Sequence, residues 1–159
     1  MNENRQNNKN HSSDPRGVLG QMARVLERAN LLIDRELDSR GLTGLMPAHG
    51  SLLHVLFEQD GPVPIKILVE NVRRVKSTVS GMVNTLEKHG YVRKTPSDRD
   101  GRVIEVELTD QGRALQKEFH SISQELIQVV YGSIPQHEQE KMMALLREIE
   151  SNLDSEIRK

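Results

Sequence analysis

The sequence predicts a mainly α-helical protein with one small β-hairpin. Apolar residues recur every three or four positions over several long stretches, which is the spacing of one buried helix face. Among the 159 residues only two Phe and two Tyr are aromatic, so the core must be aliphatic. In contrast, residues 104–108, which follow the Asp100-Gly101 pair, alternate apolar and polar side chains on the two sides of a strand, and this indicates a hairpin.

The first helix is expected to follow a polar tail. Residues 1–15 are Asn-rich and show neither a signal peptide nor a membrane span, so we expect a disordered tail and a cytoplasmic protein. A helix from Arg16 to Ser39, ending at Gly41, then dominates an N-terminal region of residues 16–45. Its apolar residues form one stripe: Leu19, Met22, Leu26, Ala29, Ile33 and Leu37.

Two shorter helices are expected next. Pro47 suits the first turn of a helix, and Asp60-Gly61-Pro62 breaks the chain again, so a second helix is expected between them. A short third helix is expected from Pro64 to Asn71. The second helix carries a cluster of apolar residues: Leu52, Leu53, Val55, Leu56 and Phe57.

The fourth helix, over residues 76–88, has two unlike faces. At about 100° per residue, Val79, Met82, Val83 and Leu86 fall within one narrow arc. The opposite side of the wheel carries only small, polar or basic residues: Arg74, Lys76, Ser77, Thr78, Ser80, Gly81, Asn84 and Lys88. Hydroxyls, an amide and cations are the groups that contact base edges and phosphates, although an ordinary solvent-exposed face is the alternative for this helix taken alone.

A hairpin follows this helix directly, with Asp100-Gly101 as its turn signal. The residues after the turn alternate between the two sides of a strand. Those expected to face inward are Ile104, Val106 and Leu108, and those expected to face outward are Val103, Glu105 and Glu107. Arg99 and Arg102 lie at the tip. An arginine there can enter the minor groove of DNA while the helix lies in the major groove; a locally paired, solvated turn is the alternative.

Two amphipathic helices complete the chain. Thr109 is expected to cap a long helix, and Ser133 with Gln136 fits a capping box that begins the last one. One small monomer cannot easily bury the apolar stripes of these two helices together with the stripe of the first helix. We therefore expect an intertwined homodimer built from residues 16–45 and 110–159. An intramolecular bundle is the alternative. The two stripes are Leu115, Phe119, Ile122, Leu126 and Val129, and then Met142, Leu145 or Leu146, Ile149 and Leu153.

The segment from Met46 to Gly112 resembles the winged helix-turn-helix of MarR-type bacterial transcription regulators. The shared features are KSTVS in the fourth helix, the L-x-x-x-G-Y-V run from Leu86, the D-R-D-x-R tip from Asp98 and the L-T-x-x-G run from Leu108. Flanking helices extend the resemblance to about residues 17–155. It implies a winged helix-turn-helix over residues 46–109 and a homodimeric repressor on a roughly palindromic double-stranded DNA operator. Such regulators are often released by a small-molecule effector held between the first, second and fifth helices.

The sequence departs from this pattern at Arg73-Arg74-Val75, where many members have Gly-Leu-Asp. Loss of the Asp removes a good N-cap, worth roughly 1 kcal/mol, so Ser77 is a candidate cap for a helix that begins later. Loss of the Gly removes easy access to a left-handed turn, so the connection is expected to be rewound or to continue as helix. Gly81 costs the fourth helix about 1 kcal/mol relative to Ala, either as slack or to bring the backbone close to the bases.

The expected DNA-binding residues form three groups. The candidate base readers are Ser77, Thr78, Ser80 and Asn84. The candidate phosphate contacts are Arg74, Lys76, Lys88, Arg93 and Lys94. The wing contributes Arg99 and Arg102. In a homodimer the two helices would enter successive major grooves about 34 Å apart.

Charge is divided unevenly along the chain. Residues 66–102 contain nine Lys or Arg against four acidic residues, which gives +5, so the rest of a chain of net charge −1 carries −6. Such asymmetry confines DNA attraction to one surface and orients docking. The absence of cysteine excludes disulfides and thiol-based redox sensing within this sequence.

No catalytic or metal-binding motif is found, so neither an enzyme nor a cofactor is expected. His137-Glu138 begins like a zinc-protease motif, but Lys141 stands where the second histidine should be. The other internal histidines do not pair on a helix face and are expected to pack or cap: His49, His54, His89 and His120. A winged-helix protein-interaction module that binds no nucleic acid is the remaining alternative.

Overall fold

The computed structural model describes residues 17–159, so the expected tail and the expected first helical residue, Arg16, lie outside it. Within that range the chain forms six helices and three short strands. The helices are α1 Val18–Ser39, α2 His49–Phe57, α3 Ile65–Val72, α4 Lys76–Lys88, α5 Asp110–Tyr131 and α6 Gln136–Ile157. The strands are β1 Val63–Pro64, β2 Val92–Pro96 and β3 Ile104–Leu108. The expected mainly helical fold with a hairpin is confirmed.

The described chain divides into two compact units, with the boundary between Ser123 and Gln124 inside α5. The first unit contains α1 to α4, the sheet and the N-terminal part of α5. The second contains the rest of α5 and all of α6.

An aliphatic core lies beneath α4 in the first unit. All four residues of the expected inner face of α4 are buried: Val79, Met82, Val83 and Leu86. They belong to one cluster with Leu52, Leu53 and Leu56 of α2 and Leu68 of α3. Because this side of α4 is held against the core, its opposite side must face solvent.

The sheet has one strand more than the expected hairpin. Its order is β1-β3-β2, and β3 pairs antiparallel with both neighbours. The added strand is only Val63–Pro64, with Val63 opposite Val106. A proline without an N–H is tolerated at a sheet edge, and two residues are too few to show an alternating pattern. The strand also moves the start of α3 to Ile65, with Pro64 as its N-cap.

The junction between the sheet and α5 is held by Thr109. Its Oγ1 accepts a hydrogen bond from the Gly112 N–H at 3.0 Å and donates one to the Gly90 carbonyl at 2.6 Å. This confirms the expected cap. A Cβ at Gly112 would lie 1.9 Å from the Tyr91 carbonyl oxygen, so only glycine fits where the helix passes the backbone just before β2.

The last helix begins differently from the expectation. No side chain caps α6; Pro135 is the N-cap residue, in an extended conformation, and the helix begins at Gln136. The expected capping box of Ser133 and Gln136 is therefore wrong. A proline fixes φ near −65° and has no N–H that needs a partner, so it can begin a helix without a side-chain cap.

Two of the four histidines pack or cap as expected. Burial, with a smaller contribution from His89, lowers the pKa of His49, and the neutral His49 Nδ1 accepts a hydrogen bond from the Met46 N–H at 3.1 Å. The helix α2 was expected to begin around Pro47, and it begins two residues later, at His49. His89 follows α4 as its C-cap residue, with its ring stacked near Tyr91. His54 and His120 are exposed, so they do not pack in the core, although His54 lies in the last turn of α2.

The terminal helices bury few residues within the single chain. Leu37 is the one buried residue of α1, and α6 has none. Large apolar side chains stand in solvent on both, including Leu26 at 62% and Leu153 at 50% exposure. Across residues 17–159, no helix combines the length and the apolar character needed to cross a bilayer.

We expect Gly112→Ala to destabilise the fold by roughly 1–3 kcal/mol or more, because the added methyl overlaps the backbone of Tyr91. Gly81→Ala is the matched control, since nothing lies within 4 Å of its added Cβ. It should stabilise α4 by about 1 kcal/mol. Chemical denaturation at one fixed protein concentration measures both, and equal effects would contradict this account of the junction.

Candidate nucleic-acid interface

The outer face of α4 is open to solvent along its length. Ser77, Thr78, Asn84 and Lys88 are exposed, and Ser80 is half-buried. Lys76 on the first turn is exposed as well. The expected base readers therefore stand on one accessible surface, fixed from behind by the buried inner face.

The connection between α3 and α4 keeps a left-handed turn without a glycine. Arg73 ends α3 with φ 51° and ψ 42°, the one positive φ outside glycine among the described residues. Left-handed backbone costs a residue with a Cβ about 1–2 kcal/mol. The expectation that the connection is rewound or continues as helix is therefore wrong, because the packing of both helices forces the turn on the residue present.

The start of α4 also differs from the expectation. The helix begins at Lys76, with Val75 as an extended N-cap residue that offers no side-chain hydrogen bond. Ser77 does not cap a later start, so its hydroxyl lies within the helix and faces outward. Arg73 and Arg74 precede the helix as two exposed cations.

The wing is a structured loop rather than a two-residue turn. Beyond the last strand pair, Pro96 with Ile104, the Ser97 N–H donates to the Val103 carbonyl at 2.8 Å. Asp100 holds the tip, since its carbonyl accepts from Val103 N–H at 2.8 Å and its Oδ1 from the backbone N–H of Arg102 at 3.0 Å. The tip thus presents its two arginines, Arg99 and Arg102, in solvent.

One inward residue of the hairpin was assigned wrongly. Val106 and Leu108 are buried, but Ile104 is 39% exposed. Ile104 sits on the pair next to the wing tip, outside the core cluster beneath α4. Alternation sets which side of a strand a residue faces, but not how far the core extends beneath it.

Two of the expected phosphate contacts are paired with carboxylates. Arg93 Nε lies 2.6 Å from Glu107 Oε1, and this hydrogen bond and charge raise the pKa of Arg93. Lys94 Nζ lies 2.7 Å from Glu87 Oε2, and the hydrogen bond from Lys94 lowers the pKa of Glu87. Lys94 Nζ also lies 2.8 Å from Asn84 Oδ1.

Glu87 was missed by the sequence reasoning. It lies seven positions before Lys94, across the turn from α4 to β2, and its Oε1 also accepts from the Lys94 N–H at 3.1 Å. Glu87 lies on α4 and Lys94 on β2, so no periodicity within one element links them, and the pair is visible only once the strand has folded back onto the helix.

A family model places this unit among known proteins. The model described as the MarR family matches residues 46–104, from the turn before α2 to the first residue of β3. The match to the MarR family is confined to this segment, which contains α2, α3, α4, β2 and the wing tip and ends at the first residue of β3.

Curated proteins are similar to part of this chain in sequence, and solved structures share its fold. An HTH-type regulator of Bacillus subtilis, YwaE, is 36% identical over 81 residues, which are 48% of this chain and 45% of YwaE. The chain thus spans about half the length of the curated relatives that it matches. Staphylococcus aureus MepR in its DNA complex superposes with a TM-score of 0.76 at 24% identity, over 88% of this chain and 99% of MepR.

A further solved structure has the same fold. Bordetella bronchiseptica BpsR, described with regulation of its DNA binding by 6-hydroxynicotinic acid, has a TM-score of 0.72 at 21% identity, over 88% of this chain and 95% of BpsR. The relatives that match this chain are named as transcriptional regulators rather than enzymes.

Replacement of Arg73 by glycine should stabilise the fold by up to about 1 kcal/mol, because the relief of left-handed strain exceeds the entropy cost of glycine. Arg74→Gly removes the same charge from a residue without positive φ and should instead destabilise by about 0.5–1 kcal/mol. Denaturant unfolding compares the pair. Destabilisation by Arg73→Gly would mean that the contacts of the Arg73 side chain outweigh the strain.

Proposed function

We propose that the protein is a transcription regulator that binds double-stranded DNA sequence-specifically, as a homodimer on an approximately palindromic operator, and acts as a repressor. The observation that carries this proposal is the exposure of polar and basic groups on two elements. The outer face of α4 is open to solvent and has no acidic residue at the assigned positions, and the wing tip has two exposed arginines. A helix with this polarity suits a major groove, and exposed arginines on a loop suit the negative potential of a minor groove.

The assigned residues have different roles in this proposal. Ser77, Thr78, Ser80 and Asn84 read base edges. Arg74, Lys76 and Lys88 contact phosphates, with Arg93 and Lys94 contributing less because carboxylates already lie within 2.7 Å of each. Arg99 and Arg102 belong to the wing, and one of them enters the minor groove.

A second copy of the chain is the proposed cover for the terminal helices. α1 and α6 are 22 residues each and leave large apolar side chains in solvent, including Leu19, Leu26, Leu145 and Leu153. Exposure of that extent is unusual on a stable monomer. A two-fold axis would cover the same stripes on both chains and present two copies of α4, as a palindromic operator requires.

Regulation by a small-molecule effector is the last part of the proposal. BpsR, which has the same fold, is described with a small aromatic acid that regulates its DNA binding. An effector can act here only if it binds one dimer geometry more tightly than another. The proposed site lies between α1, α2 and α5, no cofactor is required, and the protein acts in the cytoplasm at the nucleoid rather than at a membrane.

DNA binding is tested by selection of duplexes from a random pool, followed by affinity measurements over a range of salt. We expect a palindromic consensus and an affinity that falls linearly with salt on logarithmic axes. Arg99→Ala should weaken binding by roughly 1–3 kcal/mol if this arginine reads the groove. Arg28→Ala, an exposed arginine on α1, is the control and should bind as the parent protein does. A protein that binds no duplex would favour the interaction-module alternative.

The homodimer is tested by light scattering of the pure protein. Two chains of 18.1 kDa should scatter as one particle of twice that mass. Leu153→Glu, which places a charge on the exposed stripe of α6, should shift the protein towards the single-chain mass because a buried carboxylate is costly. Glu148→Ala, on another face of the helix, should not. A parent protein that stays at the single-chain mass at micromolar concentration would refute the dimer.

A further inference from the structure

The amide of Asn84 is held by a cation from the neighbouring strand. Lys94 Nζ lies 2.8 Å from Asn84 Oδ1 and 2.7 Å from Glu87 Oε2. Glu87 also accepts the Lys94 backbone N–H at 3.1 Å. These three residues, Asn84, Glu87 and Lys94, form a bridge between the outer face of α4 and β2.

The chemistry of the ammonium fixes which way the amide points. A lysine ammonium has three donors and no acceptor, so the Asn84 atom that it contacts must be the oxygen. The amide NH₂ group is therefore directed away from Lys94. Asn84 is exposed, so this NH₂ group is available to a partner outside the chain.

An unrestrained asparagine reads adenine, because its oxygen accepts from the N6 amino group while its NH₂ donates to N7. The Asn84 oxygen keeps a second lone pair, so adenine could still make both of these contacts. The Lys94 ammonium, however, uses two of its three donors on Asn84 and Glu87, and the third lies beside the amide NH₂ group. Adenine offers one major-groove acceptor, N7, to this pair of donors, whereas guanine offers two, N7 and O6.

We propose that Lys94, held by Glu87, adds a donor beside the amide NH₂ group of Asn84, so that the pair selects guanine over adenine in the operator. This inference rests on the proposed DNA-binding function and adds the base that one residue reads. Glu87 is a positioning residue in this mechanism, since its carboxylate holds the ammonium beside Asn84 and away from the phosphates.

The test is selection from a random duplex pool with the parent protein and three variants. Asn84→Ala identifies the position that Asn84 reads, because the preference there should be lost. The parent should prefer guanine at that position. Lys94→Met removes the donor beside the amide and should move the preference towards adenine by about tenfold, the scale of one bidentate contact. Lys94→Arg keeps a donor beside Asn84 and should keep guanine.

Two further variants separate positioning from simple loss of charge. Lys66→Met removes an exposed cation of α3 that also lies near a carboxylate, Glu70 at 3.9 Å, and that is not an assigned DNA contact; it should leave the base preference unchanged. Glu87→Gln leaves Lys94 free to contact phosphate, so guanine preference should weaken while the salt slope steepens by about one. If Lys94→Met does not fold, as judged by its thermal unfolding, Glu87→Gln carries the test alone.

Each outcome is decisive. The same base preference in Lys94→Met or Glu87→Gln as in the parent would overturn the inference, as would adenine at the Asn84 position in the parent protein. Those results would leave the DNA-binding function in place. A parent protein that selects no consensus would instead refute the proposed function, and this inference with it.

Discussion

Burial of one side of α4 is the constraint on which the interface depends. Val79, Val83 and Leu86 are completely covered, and rotation of the helix about its axis would expose them. At roughly 25 cal/mol per Å² of apolar area, such a rotation costs several kcal/mol. The polar face is therefore fixed in orientation before any partner arrives, so binding need not order the helix itself.

The sheet and the turn before α4 complete this arrangement at some cost to the local backbone. Arg73 adopts a left-handed conformation that glycine would adopt without strain. At Gly112, only glycine fits against the Tyr91 carbonyl. The strained backbone at Arg73 and the missing side chain at Gly112 both allow neighbouring elements to approach closely. They keep α3, α4 and α5 close enough to share a core.

Charges near the interface are less uniform than their number indicates. Residues 66–102 carry a net charge of +5, but Arg93 and Lys94 each lie against a carboxylate. Cations such as Lys76 and Lys88 stand in solvent. The cations of this region therefore have two different roles. The exposed ones attract DNA over a distance, whereas the ammonium of Lys94 orients the neighbouring amide of Asn84.

Local spacing was enough to predict the helices, the inner face of α4, the hairpin and the Thr109 cap, because each depends on residues only a few positions apart. The features that local spacing did not predict have one cause in common. The strand Val63–Pro64, the exposed Ile104 and the bridge from Glu87 to Lys94 depend on which distant segments meet. Periodicity describes one element at a time, so contacts between elements, and the direction in which Asn84 offers its hydrogen bonds, were decided only by the folded chain.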